Sequence, residues 1–184
     1  MAEIPRLKAE RAQLLVVDLQ EKLLPHIADH ESIMAQCVRM IRAARELELP
    51  ITLTEQYPQG LGHTCSTVTD ALDRATPLEK VTFSLWQDAA CRERLRELAR
   101  PQVLLAGIEA HVCVQQTALD LLEAGLLPFV LADAVGSRRP FDRDVALDRL
   151  RTAGVGVTTV ESAIFEMLAR AGTDLFKRLL PIVR

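Results

Sequence analysis

Three residues of reactive type sit at or beside apolar runs of this 184-residue chain. Asp18 ends Leu14-Leu15-Val16-Val17, and Lys80 lies within Leu78-Glu79-Lys80-Val81-Thr82-Phe83. Cys113 closes Ala106-Gly107-Ile108-Glu109-Ala110-His111-Val112, where an apolar run ends, the chain turns and a helical pattern begins. Together they supply one coherent chemistry: a base for the thiol proton, a cation to stabilise thiolate, and a sulfur nucleophile. A thiol on the first turn of a helix also feels the positive end of the macrodipole, which favours thiolate. Each type has a structural use too. Free cysteine fills apolar cores, a strand-end Asp caps the following turn, and a lysine snorkels from a strand to solvent.

The elements that would position them are legible in the hydrophobic pattern. Short runs rich in Val, Ile and Leu at 13–17, 50–54, 103–106, 127–131 and 155–160 read as strands buried on both faces. Residues 78–83 are a sixth, weaker candidate, because Glu79 and Lys80 interrupt the run. Between them lie helical periods at 31–47, 87–99, 111–124, 141–153 and 162–171. In the first of these, Ile33, Val38, Met40, Ile41, Ala44 and Leu47 form one stripe with arginines between. Asp29 or Glu31-Ser32 offers capping chemistry at its start, and Pro50 stops it. Gly125 and Gly154 follow two later helices where left-handed C-caps are expected. Strands alternating with such helices predict an α/β fold with three α-β-α layers and a six-stranded, mostly parallel sheet. In such sheets ligands bind beyond the carboxyl ends of the strands, where Asp18, Lys80 and Cys113 fall.

The length suits one domain over residues 1–184. With Lys+Arg 22 against Asp+Glu 25, the net charge of -3 gives no electrostatic footing for nucleic acid. No run is apolar for long enough to span a membrane, and the first residues lack the pattern of a secretory signal. Cys37, Cys65, Cys91 and Cys113 form no Cys-x-x-Cys pair, which fits a reducing cytoplasmic compartment. No Gly-x-Gly-x-x-Gly follows the first strand and no Walker-type loop is present, so a phosphate cradle lacks its residues.

In order and spacing, Leu15-Val16-Val17-Asp18-Leu19-Gln20, Lys80-Val81-Thr82-Phe83-Ser84, and Gly107 to Val114 followed by Thr117-Ala118 resemble the isochorismatase-like cysteine hydrolases. That superfamily includes nicotinamidases, N-carbamoylsarcosine amidohydrolase and isochorismatase. The resemblance covers nearly the whole chain. Through Thr54-Glu55-Gln56-Tyr57-Pro58-Gln59-Gly60-Leu61-Gly62 it is most similar to the small isochorismatase-domain hydrolases of undefined substrate. It implies Asp18, Lys80 and Cys113 as a catalytic triad and a non-proline cis peptide between Ile108 and Glu109. It also implies an oxyanion hole made by the backbone N–H groups of Glu109 and Cys113. The expected reaction is hydrolysis of a small amide-like substrate through a thioester. Members commonly form homo-oligomers, and the apolar residues 175–183 could serve a neighbour or close the chain's own core.

Nicotinamidases of the superfamily hold a divalent metal through an Asp-x-His pair and further histidines after the second strand. Here that register reads Glu55-Gln56-Tyr57, and His63 is the histidine that could join Glu55, so no metal and no other cofactor is expected. Tyr57, Phe83, Trp86 and His111 are candidate walls of a substrate pocket. Two other readings share the pattern: a silent binding or scaffold protein that keeps the fold, and an isochorismatase-type vinyl ether hydrolase, which needs no thiol.

Overall fold

Strands covered on both faces are apolar at nearly every position, and Ala12–Val17 is buried throughout, its polar Gln13 donating to the Leu95 and Arg100 carbonyls at 3.3 and 2.7 Å. Because successive side chains alternate, Leu14 and Val16 join Leu53, Leu104, Ala106 and Leu131 on one face. Leu15 and Val17 join Val103, Leu105 and Val130 on the other. The computed structural model describes residues 6–72 and 76–184. Its strands are β1 (Ala12–Val17), β2 (Ile51–Gln56), β3 (Leu78–Lys80), β4 (Gln102–Ile108), β5 (Leu127–Gly136) and β6 (Gly156–Thr158). They pair in the order β3-β2-β1-β4-β5-β6, and every pair is parallel.

The helices are α1 (His30–Glu46), α2 (Pro58–Leu61), α3 (Ser66–Leu72), α4 (Ala89–Glu97), α5 (Gln115–Glu123), α6 (Pro140–Ala153), α7 (Val160–Leu168) and α8 (Asp174–Val183). Buried residues of α1, α3, α7 and α8 pack on the Leu14 face, and those of α4, α5 and α6 pack on the Leu15 face. The result is the three-layer α/β fold, with a sheet that is wholly parallel.

Several boundaries differ from the sequence pattern for physical reasons. The strand expected over 78–83 stops at Lys80, because β2, its neighbour in the sheet, turns away at Tyr57 (φ 39°) and the strand register ends at the Gln56–Lys80 pair. The run at 155–160 yields only a short strand. Thr159 accepts a hydrogen bond from Ser162 N–H and starts α7, while Asp133 Oδ1 accepts from Val160 N–H at 2.9 Å. Asp29 precedes α1 in a left-handed conformation and its side chain makes no capping bond. At the C-terminal end, Leu179 is buried, and Leu175, Phe176 and Ile182 pack against the same core, so α8 closes the chain's own hydrophobic layer.

Candidate active site

The strand order puts β1 and β4 side by side at the centre, with the chain running outward from β1 to β3 and then from β4 to β6. A crevice opens beyond the carboxyl ends at such a reversal. Asp18 follows β1, Lys80 ends β3, and Cys113 lies one turn past β4, in a π-helical segment, Ala110–Val114, that leads into α5. The register sets Val17 opposite both Thr54 and Gly107. Gly107 has φ +113°, and a Cβ there would lie 2.0 Å from the Val17 carbonyl oxygen. Only glycine lets β4 approach β1 so closely. The peptide between Ile108 and Glu109 is cis.

Three side chains from three different strand ends meet beneath the surface. Lys80 Nζ donates to Asp18 Oδ2 at 2.8 Å, to Gln56 Oε1 at 2.6 Å and to the Thr82 carbonyl at 3.3 Å. It also lies 3.6 Å from Cys113 Sγ. The side chains of Lys80 and Asp18 are both 0% exposed. An ammonium has three protons, which are shared among these four acceptors. The second carboxylate oxygen of Asp18 accepts from Thr54 Oγ1 at 2.7 Å. A buried ion pair persists only when its remaining lone pairs are met in this way.

The state of the thiol differs from the expectation of a helix-stabilised thiolate. Burial, then the adjacent Asp18 charge, push the Cys113 pKa up to about 12, and Lys80 only partly opposes them. Burial beside the Asp18 carboxylate thus favours the neutral thiol at Cys113. Desolvation outweighs the macrodipole because Cys113 is buried. Cys37 and Cys91, also buried, are pushed up to about 12, in each case by burial first.

A cavity of about 110 Å³ opens over the sulfur. Leu23, Leu61, Phe83 and Val112 form its apolar walls, and Asp18, Gln56 and Glu109 supply polar edges around Cys113. Of the aromatic walls expected from sequence, the structure brings only Phe83 to this cavity. Trp86 lines a separate hollow near Leu95 and Pro101, with the Arg96 guanidinium 5.1 Å from its ring centre. The short helical turn Leu85–Gln87 carries it away from the crevice. Tyr57 borders a shallow depression with Glu79 and Asp88, and His111 Nδ1 lies 2.9 Å from Ser137 Oγ, outside the cavity.

The Isochorismatase domain model matches residues 12–162, which includes β1, β3, β4 and all three converging side chains. The chain belongs to the isochorismatase family. Among its relatives, isochorismatase domain-containing protein 2 of Homo sapiens is 41% identical over 175 residues, covering 93% of this chain and 82% of that protein. The solved structure of MAR1 ribonuclease from Caenorhabditis elegans superposes with a TM-score of 0.91 at 39% identity, covering 97% of this chain and 92% of that one. The YcaC gene product of Escherichia coli, described as an octameric hydrolase of unknown specificity, shares the fold at a TM-score of 0.90 and 24% identity, covering 98% of this chain and 94% of that one.

The position where metal-binding members of this superfamily carry an aspartate is spent differently here. Glu55 Oε1 accepts from Thr64 N–H at 2.6 Å and from Thr64 Oγ1 at 2.7 Å, while Oε2 lies 3.1 Å from His63 Nδ1. These residues do not fit a divalent cation, since both carboxylate oxygens pin the Gly62-to-Cys65 segment. Among the described residues, no three His, Cys, Asp or Glu side chains converge to hold a metal ion. Burial pushes the Glu55 pKa up, but the two Thr64 hydrogen bonds and His63 outweigh it and hold the group below its ordinary 4.5. A depressed carboxylate contributes stability that is present above its unfolded pKa and lost as pH falls through the folded one. Glu55→Gln is therefore expected to cost about 1–2 kcal/mol at neutral pH. In thermal melts against pH, the gap between variant and parent should close below pH 4.5; a constant gap would remove this role.

Glu109 contributes less through its side chain than through its place in the chain. Its Oε2 accepts from Arg138 N–H at 3.0 Å and from Arg138 Nε at 3.1 Å. Residues missed in the sequence are Thr54, Gln56, Leu23, Leu61 and Val112. Thr54 and Gln56 carried a signal, because they stand two apart at the end of a strand and so share a face. Leu23 and Leu61 carried no signal of their own, being ordinary leucines in the turn beyond β1 and at the end of α2.

Proposed function

We infer that this protein is a cysteine-dependent hydrolase of a small amide-like substrate, working through a thioester on Cys113 with Asp18 and Lys80. One observation carries the reading: a buried ammonium lies 2.8 Å from a carboxylate and 3.6 Å from a thiol, beneath a cavity. As the substrate carbonyl arrives, Asp18 takes the thiol proton and the sulfur attacks the carbonyl carbon. The backbone N–H groups of Glu109 and Cys113 receive the developing oxyanion. Lys80 offsets the negative charge of the sulfur and of Asp18. Collapse breaks the C–N bond, and Asp18 returns its proton to the departing nitrogen. Water, deprotonated by Asp18, then attacks the thioester and releases acid and free thiol, so that amide and water give acid and amine overall.

The high pKa of the free thiol fits this sequence, since proton transfer to Asp18 is then coupled to attack. Vinyl ether hydrolysis would leave the sulfur without a task. The C. elegans relative is named a ribonuclease, but the Asp18 carboxylate at the floor of a small, mostly apolar cavity would repel a phosphodiester. A reducing compartment such as the cytoplasm suits a thiol nucleophile, and no helix among the described residues is long and apolar enough to cross a membrane. The proposal includes self-association: Phe141, 74% exposed, and Val145 one turn later on α6 form an apolar patch that a second copy would cover.

The test is a panel of amides, ureides and thioesters assayed for ammonia or acid release, with intact-protein mass spectrometry after rapid acid quench. Turnover should coincide with an acyl adduct that maps to Cys113. A turned-over substrate with no adduct at Cys113, even when hydrolysis of the thioester is slowed, would sink the covalent route.

A further inference from the structure

We propose that the cavity over Cys113 selects a short, uncharged, aliphatic acyl group and rejects carboxylate-bearing ones, a specificity that rests on the hydrolase reading for its biological use. The volume sets the first limit. At about 110 Å³ the hollow is smaller than the roughly 150 Å³ enclosed cavity that accommodates benzene, so a chain of a few carbons fills it, whereas an aromatic acyl group would have to project from its open side and bury less of its surface. The walls set the second. Leu23, Leu61, Phe83 and Val112 offer only apolar surface to whatever extends from the reacting carbonyl.

The charges set the third limit. A buried substrate carboxylate would need a donor that is not already engaged. Lys80 is the nearest cation, but its three protons are already shared among Asp18, Gln56, the Thr82 carbonyl and Cys113. Arg138 is turned onto Glu109 and is absent from the cavity lining, and His111 faces Ser137. The lining holds Asp18, whose charge is paired with Lys80, and Glu109, whose carboxylate is paired with Arg138, and no arginine, histidine or free ammonium. An anionic group entering beside Asp18 thus gives up its hydration and meets no unengaged cation in return.

Two measurements on the intact chain test this, and only one of them depends on catalysis. Iodoacetamide and iodoacetate differ essentially in charge, and each alkylates by forming a C–S bond as iodide leaves and the thiol proton is lost. The ratio of their rates at Cys113, read by peptide mass mapping, should exceed the ratio for glutathione at least tenfold. Equal ratios, or no alkylation of Cys113 by either reagent, would overturn the proposal. In ammonia release, kcat/KM should rise about fourfold per methylene from acetamide to butyramide, then fall for benzamide. Succinamate, which is butyramide with a carboxylate in place of its terminal methyl, should be about a hundredfold poorer. Succinamate turned over as well as butyramide overturns the selectivity and leaves the hydrolase reading standing. Selective alkylation of Cys113 without hydrolysis of any amide does the reverse.

Discussion

Replacing Cys113 with alanine is expected to lower turnover of any amide substrate by about 10⁴-fold or more, with a thermal midpoint within about 3 °C of the parent. The two halves of that result have separate causes. The sulfur is the atom that would bond to carbon, so nothing else at the site can stand in for it. Its removal strands no charge, because Lys80 keeps its oxygen partners Asp18, Gln56 and Thr82. Asp18→Asn should behave differently, losing activity to a similar degree and also stability, because the fully buried ammonium then lacks its counter-charge. Breaking such a pair costs about 3–5 kcal/mol, or roughly 10 °C in a chain of this size. Calorimetry on both variants beside the activity assay separates the roles. A Cys113→Ala protein that hydrolyses at the parental rate would end the nucleophile assignment, and an Asp18→Asn protein of unchanged stability would end the ion-pair account.

Gly107→Ala is expected to produce the largest loss of stability of any single methyl addition in the central strands, more than about 4 kcal/mol. Two penalties coincide there. The residue stands at φ +113°, and the new Cβ would lie 2.0 Å from the oxygen, 2.7 Å from the nitrogen and 2.8 Å from the carbonyl carbon of Val17. Val17 cannot yield easily, since β1 is held by β2 on one side and β4 on the other. Gly125 provides the control. It also has positive φ, +81°, but a Cβ there meets nothing within 4 Å. Gly125→Ala should cost only the backbone penalty of about 1–2 kcal/mol. Urea denaturation of the two variants should therefore diverge widely, with Gly107→Ala accumulating as insoluble or unfolded chain. Matching losses would show that dihedral strain alone matters and that β1 yields to the added methyl at Gly107.

The parallel sheet was readable from local pattern because each strand carries its own signal. Runs such as 14–17 and 103–106 are apolar at every position, and helical periods intervene. What the pattern overstated were the ends. Lys80 closes β3 only because β2 has turned away, and Val160 begins α7 only because Thr159 and Asp133 meet its first turn. Those are properties of neighbours in space. The aromatic walls were misjudged for the same reason: closeness in sequence to a strand end does not say which way a side chain leaves it. Trp86 is six residues past Lys80 yet turns outward to Arg96, while Leu23 and Leu61, unmarked in sequence, reach the cavity.

The sequence by itself offered three groups of reactive type at or beside expected strand ends, one carboxylate, one ammonium and one thiol. Tertiary structure decided what state they are in. Macrodipole reasoning favoured a thiolate at Cys113, but burial beside Asp18 holds it as a thiol with its pKa pushed up to about 12. It also decided that the lysine is saturated and that the space above the sulfur is small and apolar. These depend on desolvation and on contacts between residues 36 to 62 positions apart, which a one-dimensional pattern does not encode.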